Sequence, residues 1–296
     1  MVVHMISFVT IAGKLWPAIL FFFVPLWFAG SGEPPQRVIS LAPSLTEMVF
    51  AVGAGEKLVG VTEHCRFPAE AAAIPRVGGY QTPNFEAILS LQPDIVLTLE
   101  EHFPARAFLN ALGVPYEAFD HRSLEGVLDS LTKLGRIFGN SQYTKKLRNE
   151  LDSAFRPPED FDPKHAPSLL FVIGRDYGNG VISNMMVVGN DGLYDKLINA
   201  IGCVNAYTGG TAYPTLSGEG VALLDPDIVI EAMYSETGTA MQVDELRKDW
   251  SSLSGLRAVG RGSVYFIDSD YVFVPGMRMI KLKRELNAIV SAPERK

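Results

Sequence analysis

Glu86-Ala-Ile-Leu-Ser-Leu-Gln-Pro-Asp-Ile-Val-Leu97 and Glu219-Gly-Val-Ala-Leu-Leu-Asp-Pro-Asp-Ile-Val-Ile230 are one phrase written twice, 133 residues apart. Each copy reads as a short helix, a Pro-Asp break and an apolar strand. Proline has no amide proton and clashes with the preceding helical turn, so it sets the boundary between the two elements. Asn84 and Ser217 stand two residues before the paired glutamates, where a side-chain oxygen can cap the first turn. A repeat of this length is too long for a solenoid and predicts two lobes of similar fold.

The flanking sequence has the same grammar. Arg37–Leu41 is a strand-like run, followed by Pro43-Ser44-Leu45-Thr46-Glu47. Ser44 and Glu47 have the spacing of a capping box, and Leu45, Met48, Val49 and Val52 recur at helical spacing. Gly53 and Gly55 end that helix, and a second strand runs from Leu58 to Val61. Strand, helix and strand in short succession are the unit of a parallel α/β sheet. In the second half, Leu169–Ile173 is a strand. Asn190 and Asp191 can cap a helix carrying Leu193, Leu197, Ile198 and Ile201, which Gly202 ends. Between the halves, Ser141–Phe155 reads as one helix with Ser141 as its cap and a charged face of Lys145, Lys146, Arg148, Glu150 and Asp152. The predicted fold is α/β: two similar lobes with mainly parallel sheets, joined by a single long helix. The expected limits are 36–138 for the N-terminal lobe, 139–160 for the linking helix and 161–292 for the C-terminal lobe.

Composition narrows the function. Of 296 residues, 47% are hydrophobic and 20% charged, ordinary for a globular chain with a sizeable core. The net charge of −7 repels phosphate backbones and argues against nucleic-acid binding. With two cysteines, Cys65 and Cys203, neither a disulfide scaffold nor a cysteine-rich zinc module is available. They fall in different predicted lobes and read as two free, buried thiols. Gly-x-Gly-x-x-Gly after a strand, a phosphate-binding loop and Gly-x-Ser-x-Gly are all missing, and five histidines offer little general-base capacity; an enzyme is not expected. Residues 1–32 carry one charged side chain, Lys14, and an apolar run from Leu15 to Phe28. That run of about 14 residues suits a signal peptide better than a bilayer span. Ala29, Gly30, Ser31 and Gly32 offer a cleavage region, and the first cysteine comes only at position 65, so no lipid attachment is expected there. The expected product is soluble and periplasmic.

Arg37-Val-Ile-Ser-Leu-Ala-Pro-Ser-Leu-Thr-Glu47, Val59-Gly-Val-Thr62 with Phe67-Pro68, Val77-Gly-Gly-Tyr80 with Asn84-Phe-Glu86, the twofold Pro-Asp-Ile-Val entry and Pro275-Gly276-x-Arg278 together resemble the periplasmic substrate-binding proteins of ABC importers. The matching branch is the single-helix one for cobalamin, haem and ferric siderophores, and the motifs stand nearest its cobalamin receptors. The resemblance covers about residues 36–292. It implies a protein that captures a metal-containing ligand between its lobes and hands it to a dimeric membrane permease, without a cofactor of its own and as a monomer.

The resemblance also assigns residues. Glu86 and Glu219 become transporter-docking carboxylates, one per lobe; each also compensates the dipole of its helix. Tyr80 and Tyr213 share the 133-residue offset and match the aromatics that hold the corrin ring in cobalamin receptors, where tryptophans stand. In haem receptors a tyrosine at or beside Tyr80 coordinates iron, so Tyr80 or His64 is the metal ligand if the ligand is haem. His64 follows the second strand, at the strand end where α/β proteins bind ligands, and matches a ligand-contacting tyrosine. Pro43 and Ser44 open the first helix, whose free amides suit anionic or amide oxygens. Asp270 and Tyr271 follow the strand Val264–Ile267 and match a loop that reaches the cleft. Basic residues near the expected cleft are few, Arg66 and Arg175, which disfavours an anionic siderophore complex. The reading is a corrinoid receptor, with haem or a ferric siderophore as the alternative.

Overall fold

The computed structural model describes residues 33–177, 180–233 and 243–291; the leader-like run Leu15–Phe28 lies outside them. In chain order the elements are β1 (Val38–Ser40), α1 (Pro43–Ala51), β2 (Leu58–Val61), α2 (Phe85–Ser90), β3 (Ile95–Leu99), α3 (Phe103–Ala111), β4 (Tyr116–Phe119) and α4 (Leu124–Ile137). After α5 (Ser141–Ala154) come β5 (Ser168–Arg175), β6 (Asn184–Val187), α6 (Tyr194–Ala200), β7 (Val204–Asn205), β8 (Thr215–Ser217) and α7 (Gly218–Leu224). The chain continues with β9 (Ile228–Met233), α8 (Val243–Ser251), α9 (Arg257–Gly260), β10 (Val264–Asp268) and α10 (Met279–Val290).

The first sheet has the order β2-β1-β3-β4 and every pairing is parallel. The second has the order β10-β9-β5-β6-β8, with β7 beside β5. Its β10–β9, β9–β5 and β5–β7 pairs are parallel, whereas β6 joins β5 and β8 antiparallel. The two sheets are thus similar at their centres and differ at one edge. The repeated phrase maps onto like elements, α2 with β3 and α7 with β9, because the Pro-Asp step ends each helix and starts each strand. Asn84 and Ser217 cap as predicted, accepting from the amides of Ala87 and Gly220.

Of the other expected caps, that of α5 differs and that of α6 is made by Asp191. Ser141 is not a cap: its hydroxyl donates to the Gly135 carbonyl, and Asn140 precedes the first turn without a side-chain cap bond. For α6, Asp191 accepts from the amides of Leu193, Tyr194 and Asp195. The α5 helix buries Thr144, Leu147 and Leu151 against α4. The pair is close because Gly135 has no side chain: a Cβ there would lie 2.0 Å from the Thr144 hydroxyl.

One continuous apolar cluster includes Val38, Leu45, Leu131, Leu151, Phe171, Ile230 and Leu282. It therefore runs from β1 and α1 through α4, α5 and α10 into β5 and β9. Both sheets share this core, and the described chain from Pro34 onward is one compact unit. Cys65 and Cys203 are free and buried, as expected. Arg175 does not reach a cleft. Its side chain is 1% exposed, bonded to Glu231 at 2.8 Å and Asp249 at 2.7 Å, with Tyr177 stacked on the guanidinium and the Trp250 indole donating to Glu231. Removing one partner of a buried ion pair leaves an uncompensated charge. Glu231→Ala should cost about 3–5 kcal/mol in urea unfolding; loss of less than about 1 kcal/mol would show the cluster to be dispensable.

Candidate functional site

A cleft of about 740 Å³ opens between the carboxyl ends of the two sets of strands. Parallel strands all end on the same side, so the loops that follow them converge there. After β1 the chain brings Pro43 and Ser44; after β2, His64 and Arg66; after β3, Glu101; after β4, His121 and Arg122. The second sheet contributes Ile173 from β5, and Asp270, Phe273, Pro275 and Arg278 after β10.

Tyr80 and Tyr213 both line this cleft, one from each lobe. Each hydroxyl donates to a carboxylate: Tyr80 to Glu101 at 2.8 Å and Tyr213 to Asp191 at 2.9 Å. The Tyr80 ring also meets His102 edge-on, with centroids 4.5 Å apart. Burial, reinforced by the neighbouring carboxylate, makes both phenols harder to ionise than free tyrosine. The two tyrosines are therefore held as neutral phenols with their protons turned toward the protein.

Ser44 is not the cap of α1. Pro43 occupies the first helical position and Ala42 precedes it without a side-chain cap bond. Proline suits that position because its missing amide proton would go unpaired there. The Ser44 hydroxyl instead meets His121 Nδ1 at 2.8 Å, and His121 Nε2 meets Ser130 at 3.0 Å. Glu47 is not the other half of a capping box. It is 5% exposed and binds Arg278 through both carboxylate oxygens, with Nε to Oε2 at 2.8 Å. Arg278 also donates to Asp270 at 2.9 Å and stacks on Phe67 and Tyr271. Tyr271 is only 4% exposed; it lies beneath Arg278 and Lys281 as their platform and is not part of the cleft lining.

A family model described as periplasmic binding protein matches residues 38–271. The chain belongs to the periplasmic binding protein family. It is 26% identical over 282 residues to a vitamin B12-binding protein of Vibrio campbellii, covering 93% of this chain and 95% of that one. An uncharacterized ABC transporter substrate-binding lipoprotein of Bacillus subtilis is 27% identical over 263 residues, 86% of this chain and 79% of the other. Among solved structures, a periplasmic haem-binding protein from Pseudomonas aeruginosa matches with a TM-score of 0.71 and 29% identity, over 88% of this chain and 95% of that one.

In this binding protein Pro43, Ser44, His64, Tyr80, Tyr213 and Asp270 come together on one cleft. Glu86 and Glu219 stand apart from it, each the second residue of its helix and exposed. The Ser217 hydroxyl holds the Glu219 carboxyl below its usual range. Among the described residues no group of three His, Cys, Asp or Glu side chains is placed to hold a metal ion; His64 and Tyr80 are the metal-capable side chains singled out earlier that reach the cleft. The sequence reading missed Glu101, His121 and Arg122, and gave Arg278 no role. The strand-end rule that found His64 also points to His121, two residues past β4. The partners of Glu101 and Arg278 leave no local signal.

Burial keeps His121 neutral, with its pKa lowered from 6.5 to about 4, and lowers His102 as well. In the unfolded chain both take up protons as the pH falls below about 6.5, whereas in the folded protein His121 stays unprotonated until about 4. Stability contributed this way is complete above the unfolded pKa and is lost as the pH falls toward the folded one. Wild type should therefore lose about 2–3 kcal/mol more than His121→Asn between pH 7 and 4.5 in urea melts. Parallel pH profiles for the two proteins would contradict this account.

Proposed function

We propose that this protein is a periplasmic receptor that holds a corrinoid between its lobes and delivers it to an ABC importer, with capture and release as its whole task. The observation that carries the reading is the pair Tyr80 and Tyr213, drawn from equivalent positions of the repeat onto the two sides of one cleft. Their hydroxyls are engaged by Glu101 and Asp191, so what they offer is ring surface, which suits a large flat macrocycle. The cleft charge fits as well. Glu47, Glu101 and Asp270 balance Arg66, Arg122 and Arg278 in number, leaving a formally neutral lining for an amide-rich ligand. The vitamin B12-binding relative supports the same ligand class.

Haem is the second reading, favoured by the haem-binding relative and by Tyr80 and His64 on the cleft wall. Iron ligation by tyrosine needs a phenolate, which Glu101 opposes. By calorimetry, Tyr80→Ala and Tyr213→Ala should each weaken cobalamin binding about 5- to 150-fold, while Tyr80→Phe, which keeps the ring, stays within about threefold of wild type. Failure of any corrinoid to bind, with tight haem binding that Tyr80→Phe abolishes, would replace the corrinoid reading by the haem one.

Handover rests on Glu86 and Glu219. They occupy matched sites on the two lobes, outside the cleft, as a pseudo-twofold partner requires. The double variant Glu86→Ala/Glu219→Ala should keep its ligand affinity while transporter association falls by about tenfold or more. Thermal melts of the same variant separate docking from loss of the helix-end charge. Wild-type association and import by the double variant would reduce both residues to helix-end carboxylates. The Leu15–Phe28 run acts in this reading as a leader removed on export, and the mass of the purified protein reports whether it is.

A further inference from the structure

We propose that the cleft selects its ligand by hydrogen-bond polarity: a buried relay from Gly126 through Ser130 and His121 fixes the Ser44 hydroxyl as an acceptor toward the ligand, so the site takes an amide N–H there and discriminates against a carboxylate. The proposal rests on the cleft being the ligand site, as argued above.

The relay can be oriented step by step. Ser130 Oγ lies 2.8 Å from the Gly126 carbonyl oxygen. A carbonyl has no proton to give, so the Ser130 proton lies between them. Ser130 Oγ is then an acceptor for His121 Nε2, 3.0 Å away, and Nε2 must carry its hydrogen. His121 is 5% exposed and neutral at ordinary pH, and a neutral imidazole carries one hydrogen, so Nδ1 is bare. The Ser44 hydroxyl, 2.8 Å from Nδ1, therefore donates to it. Ser44 is itself only 4% exposed yet lines the cleft, and the part it shows there is lone pair.

Tyr80 and Tyr213 repeat the pattern, their protons committed to Glu101 and Asp191. Glu101 lines the cleft too, and its second oxygen, Oε2, is buried without a hydrogen-bond partner among the described residues. A cleft whose hydroxyls point their protons inward calls for donors from the ligand. Beside Ser44, the first amides of α1 lack partners within the helix. A primary amide matches both groups at once, its N–H on Ser44 and its carbonyl on the helix amides. A carboxylate matches only the second and faces the Ser44 lone pairs. Leaving such a buried polar group unmatched is what makes a hydrogen-bonding site selective.

The test compares cobalamin with monocarboxylate derivatives in which one peripheral amide has been hydrolysed, using calorimetry on wild type, Ser44→Ala and Ser130→Ala. Wild type should bind at least one monoacid about tenfold or more weakly than the amide. Both variants should bring that ratio close to one, although Ser130 touches no ligand. Long-range ¹⁵N spectra of the wild-type protein should show His121 protonated at Nε2 and bare at Nδ1, a signature that simple packing of the histidine does not require. Equal binding of amide and every monoacid by wild type, an unchanged ratio in Ser130→Ala, or the Nδ1–H tautomer overturns the proposal. If no corrinoid binds, the corrinoid reading falls, and the same comparison is made with haem and its diamide. Preference for the diamide then sustains the relay, and preference for the diacid overturns it.

Discussion

Arg278 is the interaction on which the cleft depends. It follows the last strand of the second sheet and reaches Glu47 on the first helix of the other lobe, 231 residues away. Asp270 holds it from its own side. The Arg278 side chain is 13% exposed and that of Glu47 3%, so neither charge is well solvated and each needs the other. Phe67 and Tyr271 stack on the same guanidinium, one ring from each lobe. The chain approaching Arg278 passes close to the start of α1, where a Cβ on Gly276 would lie 3.8 Å from the Ser44 carbonyl oxygen. The mutual position of the two cleft walls is thus set by one desolvated cation and the groups it gathers, on top of a core common to both sheets.

With the walls fixed, the polar groups of the cleft sort into two kinds. Arg278 and Arg122 are spoken for, the second by Asp120 and Glu100. Ser44, Tyr80 and Tyr213 each direct a proton into the protein. What remains for a ligand is aromatic surface, lone pairs, the free amides of α1, His64 and Arg66. Such a lining distinguishes ligands by the polarity of their hydrogen bonds rather than by net charge. It also separates this cleft from one built to ligate a metal through an ionised tyrosine, because a carboxylate next to a phenol stabilises the protonated form.

The elements that build the fold were legible in the sequence because their causes are local. In both copies the Pro-Asp step separates a helix from the strand after it, Asn84 and Ser217 cap the turn that follows them, and the apolar run after the break forms a buried strand. The constant offset between Tyr80 and Tyr213 and between Glu86 and Glu219 is likewise a property of the chain itself. From these, the two-lobed α/β fold and the linking helix follow; that Pro43, Ser44, His64, Tyr80, Tyr213 and Asp270 meet on one cleft is what the family resemblance implied.

What only the tertiary structure decided is the partner of each polar side chain. Ser44 and Glu47 have the spacing of a local cap, yet Pro43 takes the first helical position and their partners lie 77 and 231 residues away. Arg175 reads as a cleft cation but is enclosed by Glu231 and Asp249, and Tyr271 lies as a platform under Arg278, outside the cleft lining. Helix ends and strand periodicity are dictated by backbone geometry within a few residues. A buried charge or hydroxyl instead takes whichever partner the packing of distant elements brings within hydrogen-bond reach, since leaving it unpaired costs more than any local alternative returns.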